Sequence, residues 1–176
     1  MSEEEVVVRV AEPDDVHHAR AASAMIEVAS HQHDIATRDV PLLEKKITSG
    51  RAAVALVGDR LVGFGFFSEW EGGKFVSHSG LVVDDSMRGH GIGRKLKNCL
   101  FEASERMFPD ATTMSLTTSE PVKAMNLSLG FVVVPFEEMT KDESFWDGCK
   151  TCRNYERVQA AGERCCCEAM IRPARG

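Results

Sequence analysis

The stretch VVDDSMRGHGIGRKLK, Val82 to Lys97, runs out of an apolar strand, through glycines at 89, 91 and 93, and into a basic helix start. A helix N-terminus presents unpaired N–H groups and the positive end of the helix dipole, which together attract phosphate. Glycine lets the backbone approach such a ligand with no Cβ in the way. The flanking Arg88, Arg94 and Lys95 point to the same chemistry in a chain whose net charge is -6. Spacing decides which phosphate. A Walker loop needs G-x-x-x-x-G-K-[ST], and the sequence contains no such run. A dinucleotide fingerprint needs G-x-G-x-x-G directly after a first strand, whereas here G-x-G-x-G follows what reads as a fourth.

The elements around the turn follow from periodicity. VVVRVAEP alternates as a first strand ended by Pro13, and Asp14 and Asp15 stand where they can cap a helix from Val16 to about Ser30. VPLLEKKITSG reads as a short second helix closed by Gly50. RAAVALVGDRLVGFGFF is a hairpin turning at GDR, and FVSHSGLVVDD is a fourth strand, apolar enough to be central. A helix from Gly91 to Met107 buries Ile92, Leu96, Cys99 and Ala103. TTMSLTTS is a fifth strand, Pro121 opens another helix that Gly130 closes, and FVVVPF is a sixth strand. From Glu137 the chain reads as irregular and Cys-rich until CCEAMIRP, a last strand. The expectation is an α/β fold with a mixed, mostly antiparallel central sheet flanked by helices. No repeat or linker divides the chain, so one domain is expected over 1–176, with 145–171 as a Cys-rich segment.

At Arg88-Gly89-His90-Gly91-Ile92-Gly93 the sequence resembles the GNAT superfamily of N-acetyltransferases, whose acyl-CoA loop reads [QR]-x-x-G-x-[GA] between the fourth strand and the following helix. LSLGF, Leu127 to Phe131, is similar to the family's LYxxxGF region, and the order of elements matches over roughly residues 6–136. The resemblance implies an N-acetyltransferase that moves an acetyl or other acyl group from acetyl-CoA to a primary amine, small or protein-borne, by direct attack. Backbone groups from Gly89 through His90, Gly91, Ile92 and Gly93 to Arg94 would hold the CoA pyrophosphate. Arg88, Arg94 and Lys95 would add charge, unless they are simply a solvated helix face. Leu81, Val82 and Val83 would line the pantetheine arm, with Ser119 at the frequent Asn position of the family. Family members often dimerise, so a homodimer is among the assemblies implied.

The attacking amine must lose a proton, and His78, Glu69 and Glu71 are the candidate bases near that arm. An unperturbed imidazole titrates near about 6.5, which suits the task. Strand alternation, however, would turn His78 away from the face of Leu81 and Val83 unless a bulge intervenes. A hydrogen-bonded structural histidine is the rival reading. The family's usual Tyr acid falls on Asn126, which can hydrogen-bond a thiolate but not protonate it. Two alternatives therefore stay open beside the enzyme: a CoA-binding module without turnover, and a zinc or thiol sensor on the same scaffold.

Five of the six cysteines crowd into 149–167. Cys149-x2-Cys152 reads as a knuckle, and Cys165 with Cys167 as a second pair on one strand face, with Cys166 pointing away. Four thiolates would hold a structural zinc with no open position. A redox disulfide and five unbound thiols are the rivals. The acidic balance argues against a nucleic-acid surface. No apolar run reaches the roughly 18 residues a membrane helix needs. Acids at the start, where a signal peptide carries basic residues, make a cytoplasmic location the expectation.

Overall fold

A computed structural model describes residues 4–174; the acidic start at Met1 to Glu3 lies outside them. Seven strands form one sheet in the order β1-β2-β3-β4-β5-β7-β6. These are β1 (Val6–Val10), β2 (Ala52–Val57), β3 (Arg60–Trp70), β4 (Phe75–Val83), β5 (Thr112–Thr117), β6 (Val132–Val134) and β7 (Glu168–Arg172). All neighbours run antiparallel except β4 and β5. Helices α1 (Ala19–Gln32) and α2 (Val40–Thr48) cover one face, and α3 (Ile92–Met107) covers the other. The expected mixed α/β architecture is what the chain adopts. Among the described residues no helix is long and apolar enough to cross a membrane.

Local differences from the sequence reading have physical causes. The first helix begins as a 3-10 turn, Pro13–His18, and becomes α-helical only at Ala19. Asp15 turns inward to take the Glu12 N–H at 2.7 Å and the Arg9 guanidinium at 2.6 Å, so it ties the turn to β1. The stretch after β6 contains two short helices, α5 (Glu143–Asp147) and α6 (Tyr155–Ala160), where irregular chain was expected. Asp142 starts α5 by accepting the Ser144 N–H. The α4 helix (Glu120–Ser128) has Ser119 as its cap, accepting from the Val122 N–H.

One irregularity places the site. Phe64 pairs with Val82 and Phe66 with Ser79, so Gly80 and Leu81 of β4 both lie opposite Gly65 of β3. This is a bulge, and Gly80 occupies it with φ +62°. The extra residue shifts the side-chain phase. Val76 and His78 before it, and Leu81 and Val83 after it, all face α3, while Val82 faces the helices on the other side. The bulge is thus the condition under which His78 shares a face with Leu81 and Val83. A Cβ at Gly80 would stand 2.7 Å from Cε1 of the buried Phe66. Gly80→Ala is expected to cost roughly 2 kcal/mol, from left-handed backbone strain and the displaced ring. That corresponds to a fall of about 5 °C in thermal melting; an unchanged melt would mean that the bulge is not needed to seat the strand.

Candidate functional site

Strands β4 and β5 pair only from Phe75–Thr112 to Ser77–Met114, and beyond that they separate. β4 continues to Val83 and β5 to Thr117, with a cavity of about 1080 Å³ between and around them. Its walls are β4 from Ser77 to Val83, β5 and its loop from Met114 to Ser119, one flank of α1, and part of the Cys-rich segment. The strand edges that face each other across this gap have no ladder partner. Asp84 N–H bonds Val62 O on β3 at 2.8 Å, so alternation turns the Val83 N–H the other way, toward the gap.

The glycine turn closes one end. After a 3-10 turn at Asp85–Met87, Gly89 has φ +84° and Gly91 φ +72°, and α3 starts at Ile92 with no side-chain cap. The first N–H groups of α3 therefore lack the side-chain partner that most helix starts have. Arg88, Gly89, Gly91, Ile92 and Gly93 line the cavity, as do Leu81, Val82, Val83 and Ser119. His90 folds back onto the Met87 and Arg88 carbonyls at 3.1 Å. Arg94 does not line the cavity; it donates to Ser128 Oγ at 2.9 Å and ties α3 to α4. Lys95 is exposed and also outside the lining, and Arg88 pairs with Asp85.

The catalytic candidates fall in different places. Glu69 is not on the cavity wall: Arg51 holds it bidentately at 3.0 and 3.1 Å. Glu71 is bonded to Thr140 Oγ1 at 2.6 Å. Asn126 is fully buried behind the wall, where it donates to Ser115 Oγ at 3.1 Å and its Oδ1 has no partner. His78 is on the wall, 8% exposed, and neither ring nitrogen has a hydrogen-bond partner. Burial, with the charges of Lys97 and Arg172, pushes its pKa well below the usual value, so the ring is neutral.

Lys97 escaped the sequence reading. It projects from α3 onto the same wall, 2% exposed, with its Nζ 5.2 Å from the Phe131 ring centre and 5.9 Å from that of Phe101. His78 joins this cluster, its ring centre 4.7 Å from that of Phe101 with the two rings tilted by 59°. Burial alone lowers the Lys97 pKa to about 7, since no carboxylate offsets it. A signal was present: Gly93, Lys97, Phe101 and Ser104 recur at helical spacing beside the apolar stripe.

The far end of the cavity is built by the loop after α1 and the Cys-rich segment. Asp34 joins them, taking hydrogen bonds from Thr118, Arg153 and Asn154 at 2.7 to 2.8 Å. Arg38 lines the cavity there and donates to the Thr37 and Gly148 carbonyls at 3.1 Å. Burial lowers its pKa, with Cys149 and Cys152 as the nearest acidic groups. Cys149, Cys152, Cys165 and Cys167 line the same end. Two expectations are corrected here. β7 starts only at Glu168, because its partner β5 ends at Thr117, so Cys165 to Cys167 precede the strand and do not alternate. Cys166 does not point away: its sulfur lies within 4.8 Å of those of Cys165 and Cys167. The thiols of Cys149 and Cys167, with backbone N–H groups, hold the Cys165 pKa down to about 3. Their hydrogen bonds to Cys165 push the Cys149 and Cys167 thiols up.

The model of the acetyltransferase (GNAT) family matches residues 19–131. N-acetylglutamate synthase from Neisseria gonorrhoeae, solved in complex with CoA and N-acetyl-glutamate, has the same fold with a TM-score of 0.69 at 16% identity. That match takes in 99% of this chain and 36% of the synthase, so this chain spans about a third of that enzyme's length. Rv2747 from Mycobacterium tuberculosis, solved with CoA, matches at TM-score 0.67 and 18% identity over 95% of this chain and 98% of its own. The putative acetyltransferase yncA from Salmonella typhimurium, with acetyl-CoA, matches at TM-score 0.58 and 23% identity over 74% and 82%. No curated protein matches the chain in sequence.

Proposed function

This chain belongs to the acetyltransferase (GNAT) family, and on that premise we propose that it transfers an acetyl group from acetyl-CoA to the amine of a small acceptor that also carries a carboxylate. The observation that carries the reading is the parting of β4 and β5 beyond Ser77, with the uncapped glycine start of α3 at its mouth. The pyrophosphate fits the free N–H groups at Gly89 to Gly93. The pantetheine arm fits the unpaired edge of β4, where it would add like a strand. The thioester then lies deeper in the gap, beyond Val83 along β4, where a backbone N–H of that strand facing the gap would receive the oxyanion of the tetrahedral intermediate.

Attack needs a neutral amine. Lys97, lowered to about 7 and lining the gap, is the group suited to take the proton, with the neutral His78 beside it. Glu69 is spent on Arg51 and Asn126 lies behind the wall, so neither takes part. The thiolate leaves without an acid. The carboxylate is inferred from Arg38, which lines the far end and is bonded there to carbonyls, with no carboxylate partner among the described residues. The synthase solved with CoA and N-acetyl-glutamate is consistent with such an acceptor.

The test is CoA release from acetyl-CoA over a panel of amino acids and their carboxamides. Amino acids are expected to turn over, and the carboxamides at least tenfold more slowly. CoA that raises the melting temperature while no amine is acetylated would overturn the enzyme and leave a binding module.

A further inference from the structure

The acyl-transfer reading leaves the cysteines at the far end of the cavity unused. All are free thiols, from two turns brought together by the return of the chain into β7. The first turn is closed by the Cys152 N–H on the Cys149 carbonyl at 2.9 Å. The second is closed by the Cys167 N–H on Cys165 Sγ at 3.4 Å, an amide pointed at sulfur. Across the turns, Cys149 and Cys165 sulfurs are 4.0 Å apart. Two thiolates bound about 2.3 Å from one tetrahedral ion stand about 3.8 Å apart, so this spacing suits shared ligation. The Cys165 and Cys167 sulfurs lie within 4.8 Å of each other.

We propose that Cys149, Cys152, Cys165 and Cys167 bind one zinc ion, which locks the Cys-rich segment in place as the acceptor-side wall of the cavity. All four ligands line that wall, whereas Cys166 does not and its sulfur accepts from Asn154 Nδ2 at 3.3 Å. Four thiolates leave no open position, so the ion takes no part in the chemistry and acts on the shape of the acceptor end. The site does not depend on acetyl transfer, and a CoA-binding module would hold the metal equally well.

The first measurement is elemental analysis of untagged full-length protein purified under reducing conditions, and about one zinc per chain is expected. The second is cobalt(II) added to metal-free protein, read by absorbance. Thiolate-to-cobalt charge transfer and the strong visible bands of a tetrahedral site are expected. Cys149→Ser and Cys165→Ser should lose both signals, while Cys166→Ser and Cys99→Ser should keep them. Because a ligand variant can unfold, each is also checked for the rise in melting temperature on adding CoA, which a folded variant retains. Wild-type protein without zinc and without cobalt bands overturns the site, and so does stoichiometric iron. Loss with Cys166→Ser and retention with Cys152→Ser overturns this ligand set.

Discussion

Gly91→Asp is expected to weaken CoA binding at least about a hundredfold, equivalent to roughly 2.7 kcal/mol, while the protein stays folded. Gly91 sits at φ +72°, and a Cβ there meets nothing within 4 Å, so the only local cost is backbone strain. Aspartate is among the residues that tolerate this conformation best, and the strain should stay near 1 kcal/mol. The new carboxylate stands at the uncapped start of α3, where it competes for the N–H groups and repels a pyrophosphate. Arg94→Ala is the contrasting change. Arg94 bonds Ser128 and lies off the cavity wall, so its loss should move CoA affinity less than about threefold. Calorimetric titration of both variants with CoA separates the two effects. Equal losses would mean that charge, not backbone, holds the phosphates, and an unaffected Gly91→Asp would remove the glycine turn from the donor site altogether.

How much of this was legible depended on what each residue signals alone. Alternation marked β1, the turn at Gly58-Asp59-Arg60 between two apolar runs marked the hairpin, and the apolar end of its run marked β4. The glycine spacing marked the turn, because positive φ at Gly89 and Gly91 has few other tenants. Hidden features needed a neighbour to be seen. Gly80 is a single glycine inside a strand, a hint of a bulge, but only the pairing with β3 shows which side chains change face. Cys165 to Cys167 look like the start of β7 until the length of β5 is known. Glu69 reads as a free base until Arg51, eighteen residues earlier in the chain, closes on it. Lys97 reads as one more solvated lysine on a basic helix until Phe101 and Phe131 enclose it.

That enclosure makes Lys97→Met the sharpest test of the chemistry, because it should raise stability and abolish turnover together. Burial holds the Lys97 pKa at about 7 against an ordinary 10.5. Between these values the unfolded chain binds the proton and the native chain does not, so stability rises with pH across the window. The sign is that of a lowered pKa on a base: the penalty is full below about pH 7 and gone above about 10.5. Its size is roughly 5 kcal/mol at about 1.4 kcal/mol per pH unit. Met fills the space without a charge. The variant should therefore melt higher at pH 7, and its advantage should shrink steadily toward about pH 10.5. Loss of the proton acceptor should cost roughly a hundredfold or more in kcat and remove the rise of rate through pH 7. Denaturant unfolding at several pH values and the pH profile of kcat check both halves. A variant that gains stability but keeps its rate would leave Lys97 a buried accident and return the proton to His78. One that gains neither would show that the ammonium reaches water in solution. The expected pairing, stability gained as activity is lost, is what a charged group kept in an apolar wall for catalysis should produce.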